Sequence, residues 1–195
     1  MARIPREYYT KGSSRRINVK ILDNCCGETI LETLKDISSN SPNWNLQWPA
    51  GNKYLIEDKF LKLDIIQDGH IIHPLLAGLS LGLLLQIYEV SDKDLFVPNI
   101  LFCSISIKDK HRKDNIHTDH TEDEDSRKLI KIMGLLNSDW QEEWGGNFFY
   151  NGESNYVKPT SFCIFDPKKP HSSDEIFTDK KRFVIDFSVL TKPTE

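Results

Sequence analysis

From Phe96 onward the chain falls into short runs that alternate apolar and polar side chains, with no helical period between them. Successive side chains of a strand point to opposite faces, so this pattern fits half-buried strands. The clearest run is RFVIDFSVL, where Arg182, Val184, Asp186 and Ser188 share one face and Phe183, Ile185, Phe187 and Val189 the other. Further strands are expected at Ile100 to Ile107, Lys128 to Leu136, Asn147 to Tyr150, Asn155 to Lys158 and Ser161 to Phe165. Asn151-Gly152 is a hairpin signal, because both residues tolerate positive φ.

The first half reads differently. Ile17 to Leu22 alternates as a strand does, and Ile30, Leu31, Leu34 and Ile37 lie at helical spacing within Gly27 to Ile37. Residues 38–53, rich in Ser, Asn, Pro and Gly, read as a loop. Leu75 to Ile87 is the most apolar stretch, interrupted by Gly78, Ser80 and Gly82, and too short to span a bilayer. It is expected as a buried helix within 72–90. Helices followed by an antiparallel β unit predict an α+β, mainly β fold: a sandwich or half-open barrel with flanking helices.

With 195 residues the chain suits one domain with a sizeable core. Its expected divisions are a basic tail (1–16), a strand with supporting helices (17–95) and the β unit (96–190). The formal net charge of -4 argues against nucleic acid as the main partner. The tail opposes that balance, with Arg3, Arg6, Lys11, Arg15 and Arg16 against Glu7. No apolar run follows it, so it is not a secretory leader. Cys25-Cys26, Cys103 and Cys163 form neither a disulfide framework nor a CxxC motif, which favours a reducing cytoplasm.

Residues 117–122 read HTDHTE and offer two His-x-acid pairs. Strand alternation puts His117 with Asp119 on one face and His120 with Glu122 on the other. The second pair opens into Asp123-Glu124-Asp125, and four consecutive carboxylates (122–125) belong in solvent or against a cationic substrate. His117 and Asp119 are therefore the preferred pair. His171, after Pro170 and the strand SFCIF, is the candidate third ligand. Two imidazoles and one carboxylate leave three positions open on an octahedral metal and suit Fe(II). A structural zinc site would be closed and richer in cysteine. Arg182 could offer a planar fork to a carboxylate, with Lys180 or Lys181 as substitutes if the register differs by one.

Taken in order, HTD, LLNSDWQEEWGGNFFY, YVKPTSFCIFDPKKPH and the cation of KKRFVIDFSVL resemble the Fe(II)/2-oxoglutarate-dependent dioxygenases, nearest the prolyl 4-hydroxylase-like branch. The resemblance covers residues 100–190. It implies a double-stranded β-helix (jelly-roll, cupin-like) core with N-terminal helices packed on one face. His117, Asp119 and His171 would be iron ligands, and Arg182 would pair with the distal carboxylate of 2-oxoglutarate. The reaction implied is hydroxylation of a C–H bond using dioxygen, with 2-oxoglutarate converted to succinate and carbon dioxide and ascorbate as a candidate auxiliary. The default substrate is a prolyl residue or a small molecule, with no nucleic-acid or membrane partner.

Three positions depart from the family pattern. Tyrosines often found near Leu135 and Lys108 are missing, and a hydroxyl two past the arginine is replaced by Val184. Lys131 is the candidate replacement contact to the cosubstrate. Asp119 fills the position that halogenating relatives leave open. Ser188 stands where nucleic-acid-demethylating relatives carry a second arginine. Trp140 and Trp144 read as packing residues, and Gly145-Gly146 as a sharp turn into the hairpin. Two other classes remain open: a non-catalytic metal-binding recognition module, and a cupin-type metal-dependent sugar isomerase.

Overall fold

The computed structural model describes residues 19–47, 60–93, 95–96, 98–119 and 129–191. The basic tail and the acidic run 122–125, with His120, lie outside the described residues.

In chain order the elements are β1 (Lys20–Leu22), α1 (Glu28–Ser39), β2 (Asn45–Gln47), β3 (Phe60–Gln67), β4 (His70–Ile71) and α2 (Pro74–Val90). There follow β5 (Ile100–Lys108), β6 (Leu129–Leu135), β7 (Phe148–Tyr150), β8 (Glu153–Asn155), β9 (Phe162–Phe165), β10 (His171–Ser173) and β11 (Arg182–Leu190). The main antiparallel sheet runs β1-β9-β6-β11-β5-β3-β2, with β4 on β3, and a smaller sheet runs β10-β7-β8. This is the expected jelly-roll core with helices on one face. Because β1 pairs with β9 and β3 with β5, residues before 96 extend the same sheet as those after it.

Alternation sorts the side chains into layers. Phe183, Ile185, Phe187 and Val189 of β11 join Ile130 and Ile132 of β6 and the buried faces of both helices in one core cluster. The opposite face meets the small sheet: Phe148 and Tyr150 of β7 pack with Cys163 and Phe165 of β9. A third cluster, Leu135, Trp140, Ile176 and Val184, closes one end of that interior. The space between the sheets is where polar side chains of β5, β6 and β11 collect.

Both helices form around an apolar stripe. In α1, Leu31 and Leu34 are fully buried, and Glu28 in the first turn suits the positive end of the helix dipole. Pro74 starts α2, where its missing N–H is no loss. Leu76, Ala77, Leu83, Leu84 and Ile87 face the sheet, but Leu75 is 65% exposed and Leu81 and Leu85 are exposed too. The expectation of a buried helix is corrected to one buried face: one sheet offers α2 only one side to pack against. No helix among the described residues is long and apolar enough to cross a membrane.

Several boundaries differ from expectation. Residues 38–53 contain β2, a polar edge strand paired to β3. The hairpin places Asn151 and Gly152 at positive φ, as expected, but its second strand is Glu153–Asn155, not Asn155 to Lys158. The register Phe148↔Asn155 and Tyr150↔Glu153 follows from a two-residue turn.

Gly134 in β6 has no room for a side chain, since a Cβ there would lie 2.6 Å from the Phe162 ring. Gly134→Val is expected to destabilise the fold by about 1–3 kcal/mol through overpacking. Guanidinium denaturation reads this as a lower midpoint at unchanged slope.

Candidate metal centre and anion site

His117 and His171 meet backbone to backbone. Each N–H donates to the other's carbonyl at 2.9 Å, forming an isolated antiparallel bridge across the open edge of the small sheet. Their ring centroids stand 4.5 Å apart. Asp119 N–H donates to the Pro167 carbonyl at 2.9 Å, which holds the third residue against the turn before His171.

The ring nitrogens are sorted by their partners. His117 Nδ1 lies 2.8 Å from the Asn115 carbonyl and His171 Nδ1 2.8 Å from the Lys169 carbonyl. A carbonyl only accepts, so each Nδ1 carries a proton, and in the neutral ring the lone pair is then on Nε2. Those Nε2 atoms face one carboxylate: His117 Nε2 is 3.8 Å from Asp119 Oδ1, and His171 Nε2 is 3.7 Å from Asp119 Oδ2. One ligand atom from each residue falls within 4.8 Å of the others, a spacing able to hold a metal ion. Burial pushes the His171 imidazolium below its ordinary pKa, favouring the neutral ligand form. Burial opposes ionisation of Asp119, but Lys131 and the two imidazoles outweigh it and hold the carboxyl below its usual range.

Lys131 stands beside this group. Its Nζ lies 2.8 Å from Asp119 Oδ2 and 3.2 Å from Asp186 Oδ2. Burial works against its charge, yet Asp186 and Asp119 together hold the ammonium above its ordinary range. The lysine expected to meet a cosubstrate thus meets two carboxylates.

Arg182 is isolated. It is 3% exposed, and its Nε has no hydrogen-bond partner. It borders a tightly closed crevice, too narrow to enclose even a water molecule, lined by Leu135, Gly146, Asn147, Tyr156 and Val157. Asn147 Oδ1 is also buried without a partner. Burial pushes the guanidinium down to about 10, with Asp114 partly opposing the shift. Lys180 ion-pairs with Asp139 and stands 4.3 Å over the Trp144 ring, while Lys181 is exposed, so neither substitutes for Arg182.

Gly145 and Gly146 do more than turn the chain. Both have positive φ, and a Cβ on Gly146 would lie 2.9 Å from Arg182 Cδ and Nε. A Cβ on Gly145 would lie 2.1 Å from the Glu175 carbonyl. Trp140 and Trp144 pack edge to face at 5.5 Å, as expected of packing residues.

Sequence reasoning missed Asp114 and its partners. Lys108 at the end of β5 ion-pairs with Asp114 Oδ2, and Ser173 Oγ donates to the same carboxylate at 2.6 Å. Arg112 reaches the other oxygen at 3.3 Å. Lys108 stands where the family often has a tyrosine, and Ser173 shares a strand face with His171. The segment KDKHRKD concealed this group because its charges looked solvated.

No family model and no curated protein matches this chain. Solved structures do. A prolyl-4-hydroxylase of Pseudomonas putida superposes with a TM-score of 0.59 at 15% identity, covering 88% of this chain and 91% of that one. HygX of Streptomyces hygroscopicus, with nickel, 2-oxoglutarate and hygromycin B bound, gives 0.60 at 12% identity over 89% and 82%. A Trichoplax adhaerens prolyl hydroxylase, in complex with a hypoxia inducible factor peptide fragment, gives 0.60 at 13% over 89% and 84%. The chain shares the fold of these oxygenase structures.

Asp114 supplies a test of the electrostatics. Burial opposes its ionisation, but Lys108, Ser173 and Arg112 together pull its pKa below the usual 3.8. The unfolded chain then binds the proton first, so this contribution is complete above pH 3.8 and lost as pH falls through the lower folded value. Asp114→Asn leaves Lys108 buried without its carboxylate and is expected to cost about 3–5 kcal/mol at neutral pH. Melting temperature against pH should show a lower curve whose acid limb is shallower than that of the wild type.

Proposed function

We propose that this chain is an Fe(II)- and 2-oxoglutarate-dependent oxygenase that hydroxylates a C–H bond. The observation carrying the proposal is the pairing of an open His-Asp-His cluster with a buried arginine whose Nε has no hydrogen-bond partner, in the space between the sheets. An unpaired guanidinium is costly to bury unless an anion arrives. An imidazole-carboxylate set suits ferrous iron, and three protein ligands leave positions for a second bidentate molecule.

In this reading His117 Nε2, His171 Nε2 and Asp119 hold the metal. Arg182 binds the distal carboxylate of 2-oxoglutarate, with Asn147 beside it in the same cleft. Bound iron with cosubstrate and dioxygen supplies the oxidation, releasing succinate and carbon dioxide. The protein's own part is positional. Carbonyls of Asn115 and Lys169 fix the two ring tautomers, and Phe148 and Phe165, with ring centroids 6.1 Å and 5.0 Å from that of His171, give that ligand an apolar wall. Absent tyrosines at Leu135 and Lys108 are offset differently: Leu135 walls the Arg182 cleft, and Lys108 supports the Asp114 cluster.

The substrate is a peptidyl proline or a small molecule. The structural neighbours span both kinds, a peptide fragment in one and hygromycin B in another. All four cysteines are free, which fits a reducing cytoplasm.

Succinate release by the purified chain with Fe(II), 2-oxoglutarate and oxygen tests the reading. His171→Ala is expected to abolish it, and Arg182→Gln to raise the KM for 2-oxoglutarate about a hundredfold while leaving metal affinity unchanged. A wild type that forms no visible charge-transfer band with Fe(II) and 2-oxoglutarate under nitrogen would rule the proposal out. Turnover without 2-oxoglutarate would point to the isomerase class.

A further inference from the structure

We propose that Lys131 is a positioning residue that sets the charge and denticity of the metal site: by holding one oxygen of Asp119 against Asp186, it lowers cation affinity and raises affinity for the anionic cosubstrate. This rests on the iron and 2-oxoglutarate reading above.

The two oxygens of Asp119 have different surroundings. Oδ1 faces His117 Nε2 at 3.8 Å, while Oδ2 has Lys131 Nζ at 2.8 Å and His171 Nε2 at 3.7 Å. Oδ2 accepts no hydrogen bond, but the ammonium paired with it would make it a poorer second ligand, so the carboxylate would favour one bond with a metal. A carboxylate free to chelate with both oxygens would consume a position that the cosubstrate needs. Lys131 is itself held from the far side by Asp186 Oδ2 at 3.2 Å. Asp186 lies on β11, two strand turns past Arg182 on the same face, and its side chain remains 30% exposed towards the interior mouth.

The formal charges give the direction. One ammonium against two carboxylates leaves a single negative charge on the three side chains, and a divalent cation turns this to plus one. Removing Lys131 leaves two negative charges, which the same cation only neutralises. A dianion therefore binds more weakly to the second site, and a metal binds it more strongly. Neutralising Asp186 acts the other way, by leaving Lys131 uncompensated beside the metal.

Visible absorption of the Co(II)-loaded full chain tests this without turnover. Partners of metal-bound side chains typically shift metal affinity by about 10–100-fold. Lys131→Met is expected to bind Co(II) about tenfold more tightly and 2-oxoglutarate about tenfold more weakly, with weaker d–d bands from the extra carboxylate bond. Lys131→Arg should restore both affinities towards wild type, and Asp186→Asn should weaken Co(II) binding about tenfold. A Lys131→Met protein that loses both affinities together, or keeps both unchanged, overturns the inference. If Lys131→Met does not fold, Asp186→Asn decides, and unchanged Co(II) affinity there overturns it. Failure of the underlying reading is seen separately, as a wild type that binds Co(II) no better than His171→Ala.

Discussion

The site depends on two backbone hydrogen bonds, the reciprocal pair between His117 and His171. They join segments more than fifty residues apart in the chain and bring two imidazoles into contact without using either side chain. Both rings remain free to use Nδ1 on a local carbonyl and Nε2 on whatever enters between them. Asp119 follows at strand spacing and is fixed by a further backbone bond to Pro167. Main-chain bonding thus sets the positions, and side-chain chemistry is left available. That division suits a site whose ligands must hold their geometry through binding and release.

The interior between the sheets holds several charges, and their arrangement separates structural from receptive groups. Lys108, Asp114, Arg112 and Ser173 satisfy one another. Lys131 is satisfied by Asp119 and Asp186. Arg182 is buried with its Nε unbonded, and Asp119 Oδ2, though ion-paired, also accepts no hydrogen bond. Buried ions are tolerated when partners are close and are costly otherwise. The unbonded Nε of Arg182 is the feature on which the proposed anion role rests.

Much of this was legible in the residues because alternation dictates which side chains face each other. The faces of β11, the HTD pair, the Asn-Gly turn and the helix cores all follow from local spacing. Two of the short strands that the sequence hid are largely polar: β2 is Asn-Leu-Gln at the sheet edge, and β10 is His-Ser-Ser. Neither buries enough of an apolar face to show a period, so tertiary pairing alone defines them. Phe60–Gln67 is different. Leu63 and Ile65 are buried and alternate with Lys62 and Asp64, so the signal was present in the sequence. The role of Lys131 was illegible for a physical reason. Strand alternation gives its face, but whether an inward lysine meets a ligand or a carboxylate depends on Asp186, on the neighbouring strand β11 and 55 residues away in sequence.

Gly145-Gly146 shows how the hairpin and the anion site constrain each other. A sharp turn needs positive φ at both residues, and glycine supplies this. The same absence of Cβ lets the Glu175 carbonyl and the Arg182 side chain approach the turn to distances that any larger residue would prohibit. Gly146 N–H in turn donates to that Glu175 carbonyl at 2.9 Å, and Trp140 Nε1 donates to the Gly145 carbonyl at 3.1 Å. The turn is therefore clamped from both sides while Arg182 lies along it. A guanidinium packed against bare backbone has few rotamers left, and little conformational entropy remains to be lost when a carboxylate reaches it. In the proposed reading, the preorganisation of the anion site would originate in the glycines that begin the hairpin as much as in the arginine itself.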